Sequence, residues 1–476
     1  MVFSSHIFLF YFLPIFLLVY YLLPFTWKKM YLRNNWITIG SYVFYGWLVP
    51  WYIIPMFAST VWDYICGKII TTPGQVQWKR RAALATAVVG DLGLLAFFKY
   101  TPLVLQAYDK LDHLFGGNAA VAQMWHLVLP AGISFYTFVA LSYTVDLYRG
   151  IAKPARNFQS FTCFIALFPH LIAGPIIRYN TVADMLSERK HTVDKFLSGI
   201  AIFMLGFSKK ILLANSIGQI ADTVFRANNL DIGSAWWGIL AFHFQIYFDF
   251  CGYSDMAVGL ARMLGFEFIK NFNGPYHSAS ITEFWTRWHI SFSTFIRDYL
   301  YIPLVLSGKR KGILHTYFIL IFVFFVSGLW HGAKMTFVVW GLFQGMFMVF
   351  DRLRGKKGLF APLPLPLQIA LANIILMFSW AIFRSPSLSQ GWQYWKSMLG
   401  LVQAAPTSPM LHTEIFAPQN IVMLALCGLF IWQTTQAHDW VEKLTVPRMA
   451  ICILVFLIAI CMMFTQTYNP FLYFQF

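Results

Sequence analysis

Two histidines in this sequence have neighbours that suit proton transfer or acyl transfer. His289 lies in the stretch 283–291, EFWTRWHIS, and His331 lies in the stretch 326–333, VSGLWHGA. An imidazole changes its protonation near neutral pH, so it can act as a general base, donate a hydrogen bond or accept an acyl group. The indole rings beside each histidine predict that both imidazoles are partly shielded from water.

Each histidine also has a plainer interpretation. A helix that continues through His289 would place Trp285, His289 and Ser293 on one face, yet the same histidine could simply satisfy a neighbouring polar group. His331 follows an apolar run and precedes Gly332, and a glycine lets a backbone or a substrate approach closely. The alternative is a histidine packed in the core. Because both imidazoles stand beside tryptophans, we favour the functional interpretation.

The rest of the chain predicts helices in a lipid bilayer. The 476 residues are 58% hydrophobic and 11% charged, far fewer charges than soluble domains carry. Several apolar stretches approach the ~20 residues that a helix needs to cross a bilayer. The clearest are 7–23, 82–98, 313–330, 337–350 and 450–464. We therefore predict an all-α polytopic membrane protein that forms one domain over residues 1–476, with roughly ten to twelve helices.

The charges predict topology and exclude several kinds of protein. Lys and Arg number 35 against 19 Asp and Glu, a net charge of +16, and the basic residues gather in short loops such as 28–33, 79–81, 309–311 and 352–357. This pattern is typical of cytoplasmic loops, with anionic headgroups or an anionic donor as the alternative partner. Neither interpretation requires nucleic acid. The six scattered cysteines lack a CxxC pair, so no zinc site or disulfide framework is indicated.

Polar residues inside this apolar chain locate a candidate site. The segment from Gly252 to Tyr301 is too polar to face lipid, and such segments are tolerated only when packed in protein or lining a wet cavity. Three further polar groups lie at 143–150, 168–178 and 247–255. Ion pairs that fix helix register are the favoured explanation for each group alone, but together they suggest a polar cavity. The longest predicted loops, 106–125 and 385–419, are too short for a soluble catalytic domain, so we expect the chemistry within the membrane body.

These motifs together resemble the membrane-bound O-acyltransferase (MBOAT) family, in particular its bacterial alginate O-acetyltransferase subunits. The resemblance covers nearly the whole chain in order. The segments that carry it are 1–5, 129–136, 168–178, 247–255, 271–273, 280–303, 328–333, 380–384 and 468–471. One departure is the stretch 305–310, VLSGKR, where such relatives usually have a Gly-Gly-Asn-Arg turn, and it leaves the acceptor open.

The resemblance implies a fold and a site. The fold is a ring of tilted transmembrane helices with re-entrant segments around a central funnel. His331 would be the catalytic histidine, which deprotonates the nucleophile or carries the acetyl group, and His289 the second essential histidine, which orients or polarises the thioester. The donor would be acetyl-CoA as a substrate, with no bound cofactor and no metal. Candidates for contacts to the donor are Trp285, Trp288, Arg297, Asp298 and Trp330.

The function that the resemblance implies is transfer of acetyl from a cytoplasmic donor toward O-acetylation of an exported polysaccharide, with alginate as the leading acceptor. Peptidoglycan or cellulose O-acetylation is the first alternative. A transporter of acetyl groups or lipid intermediates that makes no bond is the second, although we find no internal repeat of the kind transporters often contain. We expect a multi-pass protein of the bacterial inner membrane, with periplasmic or membrane-anchored acetyltransferases as partners.

Overall fold

A computed structural model describes residues 1–25, 31–115, 128–227, 230–307, 312–355, 358–402, 408–433 and 435–472. Every regular element in these ranges is helical, which confirms the all-α class. The chain forms two compact units, one of Met1–Gly199 with Leu260–Phe268 and the other of Ile200–Gly259 with Ile269–Phe476. Both histidines lie in the second unit. The single domain over 1–476 stays a prediction.

The helices of the first part of the chain include several short, buried pieces. The segment before Arg178 forms two such pieces, Phe158–Ala166 and Phe168–Leu171, and both are buried in their unit. They are too short to cross a bilayer. The helices up to residue 208 are Phe8–Phe12, Leu13–Leu22, Leu32–Gly46, Pro50–Tyr52, Ile53–Thr71, Gln77–Leu114, Ile133–Arg149, Phe158–Ala166, Phe168–Leu171, Tyr179–Ser187 and Val193–Ser208.

The second part of the chain alternates long helices with short ones around the two histidines. Its helices are Lys209–Ala214, Asn215–Arg226, Ile232–Met263, Pro275–His277, Ile281–Arg287, Ile290–Ile296, Arg297–Tyr301, Ile302–Leu306, Ile313–His331, Met335–Leu353, Leu365–Arg384, Leu388–Met398, Pro409–Ile415, Pro418–Trp432, Ala437–Val441 and Val446–Thr465. Lys209–Ala214 and Arg297–Tyr301 are π-helical, a conformation often found where function requires a local distortion.

Six helices in the described ranges are long and apolar enough to cross a membrane, and a bent pair, Pro409–Ile415 with Pro418–Trp432, makes a seventh if it is one span. The six are Pro50–Thr71, Gln77–Leu114, Val193–Arg226, Ile313–His331, Leu365–Arg384 and Val446–Thr465. The expected number was roughly ten to twelve. The difference arises because other apolar segments, such as Phe8–Leu22, form shorter helices.

Two predicted loops contain helices instead. Helix Gln77–Leu114 continues into the predicted loop 106–125, of which residues 116–125 lie outside the described ranges. The predicted loop 385–419 contains Leu388–Met398, whose first turn is capped by Ser387 and which buries Tyr394 and Met398. Polar residues in this stretch indicated a loop, but the cap and the buried apolar side chains stabilise a helix.

The helix that ends at His331 is held by backbone contact with the next helix. A Cβ atom on Gly328 would lie 2.4 Å from the carbonyl oxygen of Phe337, and one on Gly341 would lie 2.3 Å from that of Phe324. Helices Ile313–His331 and Met335–Leu353 therefore meet without side chains between them, as small residues allow in membranes. Gly332, the glycine predicted to permit close approach, instead lies against a side chain, since a Cβ atom there would be 2.5 Å from the ring of Phe337.

Replacing Gly341 with alanine should push the two helices apart, because the new methyl group would meet backbone atoms that cannot move alone. We expect a loss of about 1–3 kcal/mol of stability, as in overpacked cores, measured as a lower unfolding midpoint in detergent. Gly428→Ala is the matched control, since nothing lies within 4 Å of a Cβ there. Equal midpoints for both variants would contradict the backbone contact.

Candidate active site

Both predicted histidines line one cavity, which we call the histidine cavity. It measures about 30 Å³, enough for a group the size of a few water molecules. Asp249, His289 and His331 are its charged or titratable side chains, and the other walls are largely aromatic. The full lining is Ile246, Asp249, Phe250, Trp285, Trp288, His289, Phe292, His331, Trp340, Trp380, Phe383 and Leu472. The cavity therefore suits a small acyl group surrounded by aromatic rings.

His289 stands at a break between two helices. Helix Ile281–Arg287 ends before it and Ile290–Ile296 begins after it, while His289 itself has φ 45° and ψ 55°. It is the only non-glycine residue with positive φ in the described ranges, a conformation that costs energy and often marks functional sites. The expected continuous helix with Trp285, His289 and Ser293 on one face is therefore wrong.

Asn271 maintains this break from a distant part of the chain. Its backbone carbonyl accepts a hydrogen bond from the amide of Ile290 at 2.9 Å. Its side-chain oxygen accepts from the amide and the hydroxyl of Ser291 at 3.1 and 2.9 Å. Asn271 thus binds the first amides of helix Ile290–Ile296, which otherwise lack partners, and this explains why the helix restarts after His289.

The same amide oxygen fixes the protonation pattern of His289. Because the amide of Ser291 can only donate, the Asn271 atom that it contacts must be the oxygen. That oxygen also lies 3.2 Å from His289 Nδ1, so Nδ1 carries the hydrogen. In the neutral ring, Nε2 is then a lone-pair acceptor. This atom is buried and has no hydrogen-bond partner among the described residues, so it is available to a reacting group.

Aromatic rings hold both imidazoles in place. Phe292 stacks on His289 with ring centroids 5.1 Å apart, and Phe250 meets His289 edge-on at 4.7 Å. His331 meets Trp340 and Phe383 edge-on at 5.0 and 5.4 Å. His331, Trp340 and Phe383 come from three different helices, which are Ile313–His331, Met335–Leu353 and Leu365–Arg384 in that order. The position of His331 therefore depends on tertiary packing.

Trp285 is locked by a chain of hydrogen bonds behind the cavity wall. Its indole N–H donates to Gln344 Oε1 at 3.1 Å, and Gln344 Nε2 donates to the Ser379 hydroxyl at 2.8 Å. Gln344 and Ser379 are fully buried. A buried polar chain whose members are bonded to one another fixes a single arrangement, so Trp285 is a rigid wall.

The predicted donor-contact residues divide into two sets. Trp285 and Trp288 line the histidine cavity, and Trp330 stacks on Phe292 with centroids 4.6 Å apart. Arg297 instead lines a second cavity, and it forms an ion pair with the neighbouring Asp298 at 2.6 Å. Asp298 does not line either of these cavities.

Sequence reasoning missed several lining residues, namely Asp249, Trp340, Trp380 and Leu472. Asp249 belongs to the polar group at 247–255, which we interpreted as ion pairing. The structure confirms that pairing, since Asp249 contacts Lys210 at 2.5 Å and Asp255 contacts Lys209 at 2.7 Å, and adds that Asp249 reaches the cavity. No sequence pattern predicts that Leu472 lines the cavity, because this leucine belongs to no recognisable motif and lies far along the chain from both histidines.

Two larger cavities, a middle one and an outer one, are related to the histidine cavity through shared lining residues, the middle one directly and the outer one through the middle one. The middle cavity, of about 300 Å³, shares Trp285 and Phe292 with it. The outer cavity, of about 750 Å³, shares Thr282, Thr286 and Arg352 with the middle one. The three cavities therefore form a series that widens away from the histidines.

Comparison with known proteins agrees with this architecture. A model of the membrane-bound O-acyltransferase family matches residues 155–357. The chain is 39% identical to "probable alginate O-acetylase AlgI" of Azotobacter vinelandii over the full length of both proteins, and 43% identical to the protein of that name from Pseudomonas aeruginosa over 84% of this chain and 75% of the relative. It is also 29% identical to the peptidoglycan O-acetyltransferase of Helicobacter pylori over 100% of this chain and 98% of the relative.

The chain belongs to the membrane-bound O-acyltransferase family. It is a multi-pass membrane protein and an acyltransferase.

Replacing Asn271 with leucine should impair catalysis more than folding. Leucine cannot accept the Nδ1 hydrogen, so His289 would lose its fixed tautomer and orientation. We expect kcat for acyl transfer to fall roughly 10- to 100-fold, the scale seen when a partner that orients a functional histidine is removed. Ser291→Ala is the control, because it leaves the contact between Asn271 and His289 in place. A leucine variant with the kcat of the wild type would refute this role for Asn271.

Proposed function

We propose that this protein transfers acetyl from cytoplasmic acetyl-CoA toward O-acetylation of an exported polysaccharide, alginate. The observation that carries the proposal is that His289 and His331 line one small, aromatic-walled cavity. Such a cavity accepts an acetyl group and excludes most water, which strengthens polar interactions with the reacting atoms. The relatives named "probable alginate O-acetylase" support the choice of acceptor.

The chemistry requires a proton to move from the acceptor to the leaving sulfur. His331 removes the proton from the attacking hydroxyl, the new ester bond forms as the thioester bond breaks, and the proton passes to the departing thiolate. Alternatively His331 carries the acetyl group before the final transfer. Because Nδ1 of His289 is bonded to Asn271, His289 polarises the thioester carbonyl only after Nε2 gains a proton. In its neutral form it orients the hydroxyl by accepting its hydrogen bond.

The series of cavities supports a route for the donor. An acetyl group matches the histidine cavity, and the long remainder of acetyl-CoA would occupy the middle and outer cavities. Arg352 and Gly355 line part of the outer cavity, and both belong to the basic loop 352–357 that we predict to be cytoplasmic. Arg352 lines both larger cavities, and guanidinium groups bind phosphate well. We therefore assign Arg352 to the donor's phosphates.

The location and partners follow from this reaction. A cytoplasmic donor and an exported polymer require the bacterial inner membrane. We propose that periplasmic or membrane-anchored acetyltransferases complete the transfer to the polymer. Peptidoglycan is the second candidate acceptor, favoured by the full-length similarity to the Helicobacter pylori peptidoglycan O-acetyltransferase. Acetylation assays with each polymer, in membranes that contain the partner proteins, separate the two.

His331→Ala and His289→Ala should each lower acetyl-CoA cleavage by reconstituted protein on the order of 10²- to 10⁴-fold, because each removes a group that contacts the reacting atoms. The measurement is release of free CoA thiol in proteoliposomes supplied with labelled acetyl-CoA. His412→Ala is the control, since His412 is exposed and outside the three cavities. Movement of label across the membrane without thiol release would instead support a transporter.

Arg352→Ala should raise KM for acetyl-CoA about 10- to 100-fold and leave kcat nearly unchanged, because a charge-assisted hydrogen bond to phosphate contributes roughly 1.5–3 kcal/mol and Arg352 lies outside the histidine cavity. Arg354→Ala is the matched control in the same loop, since Arg354 lines neither large cavity. An unchanged KM for the Arg352 variant would remove this residue from the donor route.

A further inference from the structure

We propose that the buried ion pair of Lys210 and Asp249 is a positioning device that holds the segment Tyr468–Leu472, here called the tail segment, as one wall of the histidine cavity. The proposal rests on the proposed function for its effect on catalysis. Its structural part stands independently, on contacts within the second unit.

Asp249 and Leu472 meet at the cavity wall. Both line the histidine cavity, and the backbone amide of Leu472 donates to Asp249 Oδ2 at 2.9 Å. Leu472 is 3% exposed. Asp249 thus lines the histidine cavity and, through Oδ2, also holds Leu472, which forms the neighbouring part of the cavity wall.

Lys210 occupies the other oxygen of the aspartate. Its ammonium group lies 2.5 Å from Asp249 Oδ1 and donates to Asn215 Oδ1 at 2.7 Å and to the carbonyl oxygen of Pro470. The oxygens of Asn215 and Pro470 each accept a hydrogen from the ammonium group, and its charge holds Asp249 Oδ1 in an ion pair. Both charged side chains are 2% exposed. The pair therefore binds the tail segment at two backbone atoms, the Pro470 carbonyl and the Leu472 amide.

Side chains at both ends of the tail segment complete its attachment. The Tyr468 hydroxyl donates to Asp222 Oδ2 at 2.7 Å, and Phe471 stacks on Tyr253 with centroids 4.4 Å apart. The segment follows the last helix, Val446–Thr465, and is not helical through residue 471. Non-helical backbone inside a membrane body needs partners from the protein, and the ion pair provides them.

A purely structural ion pair would not need to reach the cavity. The adjacent pair of Lys209 and Asp255, separated by 2.7 Å, joins the same two helical regions without lining the histidine cavity. Buried ion pairs add little net stability over apolar replacements. The specific contribution of Lys210 and Asp249 is thus the position of Leu472, on which the width of a 30 Å³ cavity depends.

The test replaces both charges, because removing one would leave the other buried alone. The variant Lys210→Met with Asp249→Asn should lower kcat for acetyl-CoA cleavage about tenfold or more, since small displacements at a reacting centre have effects of that size. In a Cys461→Ser background, a Leu472→Cys probe should react faster with a maleimide when both charges are removed. The matched control is Lys209→Met with Asp255→Asn, which should change neither kcat nor labelling.

The outcomes separate the two proposals. Unchanged labelling of the probe in the Lys210 and Asp249 variant overturns the inference, whatever its kcat. Faster labelling with unchanged kcat overturns the role in catalysis. If His331→Ala retains full activity, the proposed function fails, yet the labelling result still tests the attachment of the tail segment. Should the double variant not fold, Leu472→Ala keeps both charges and enlarges the cavity, and an unchanged kcat in that variant would equally overturn the role of the wall.

Discussion

A single atom, the side-chain amide oxygen of Asn271, fixes both the backbone and the ring of His289. It accepts hydrogen bonds from His289 Nδ1 and from the amide and hydroxyl of Ser291. The first bond selects the tautomer of the histidine, and the other two begin the next helix. The left-handed backbone conformation of His289 breaks the helix at the same residue whose ring is oriented. The helical break and the orientation of the ring therefore both depend on the Asn271 oxygen.

Aromatic packing converts that local arrangement into a reaction chamber. Phe292 stacks on His289 and also on Trp330, and Trp330 neighbours His331. The two histidines are thus linked by rings rather than by hydrogen bonds. Rings exclude water, and no described donor bonds to His289 Nε2, so its lone pair stays available. The same packing keeps the cavity small, at about 30 Å³.

Polar groups in the second unit occur where the membrane body must hold irregular backbone. Lys210 and Asp249 bind the tail segment, and Gln344 and Ser379 fix Trp285. In each case a buried polar group is satisfied within the protein, as an environment without water requires. These contacts position a wall of the histidine cavity, so the supporting polar groups and the reacting ones form a single assembly.

The sequence alone determined the class of structure, and it singled out His289 and His331, which line one cavity. Hydropathy is a local property, so composition and apolar runs were enough to predict a helical membrane protein, and tryptophans beside His289 and His331 marked the site. The tertiary structure decided the rest. The break at His289 depends on Asn271, and Asp249 and Leu472 reach the cavity through contacts between residues far apart in the chain. Local patterns cannot encode such contacts, because a residue outside the helix can decide where the helix begins by binding its first amides.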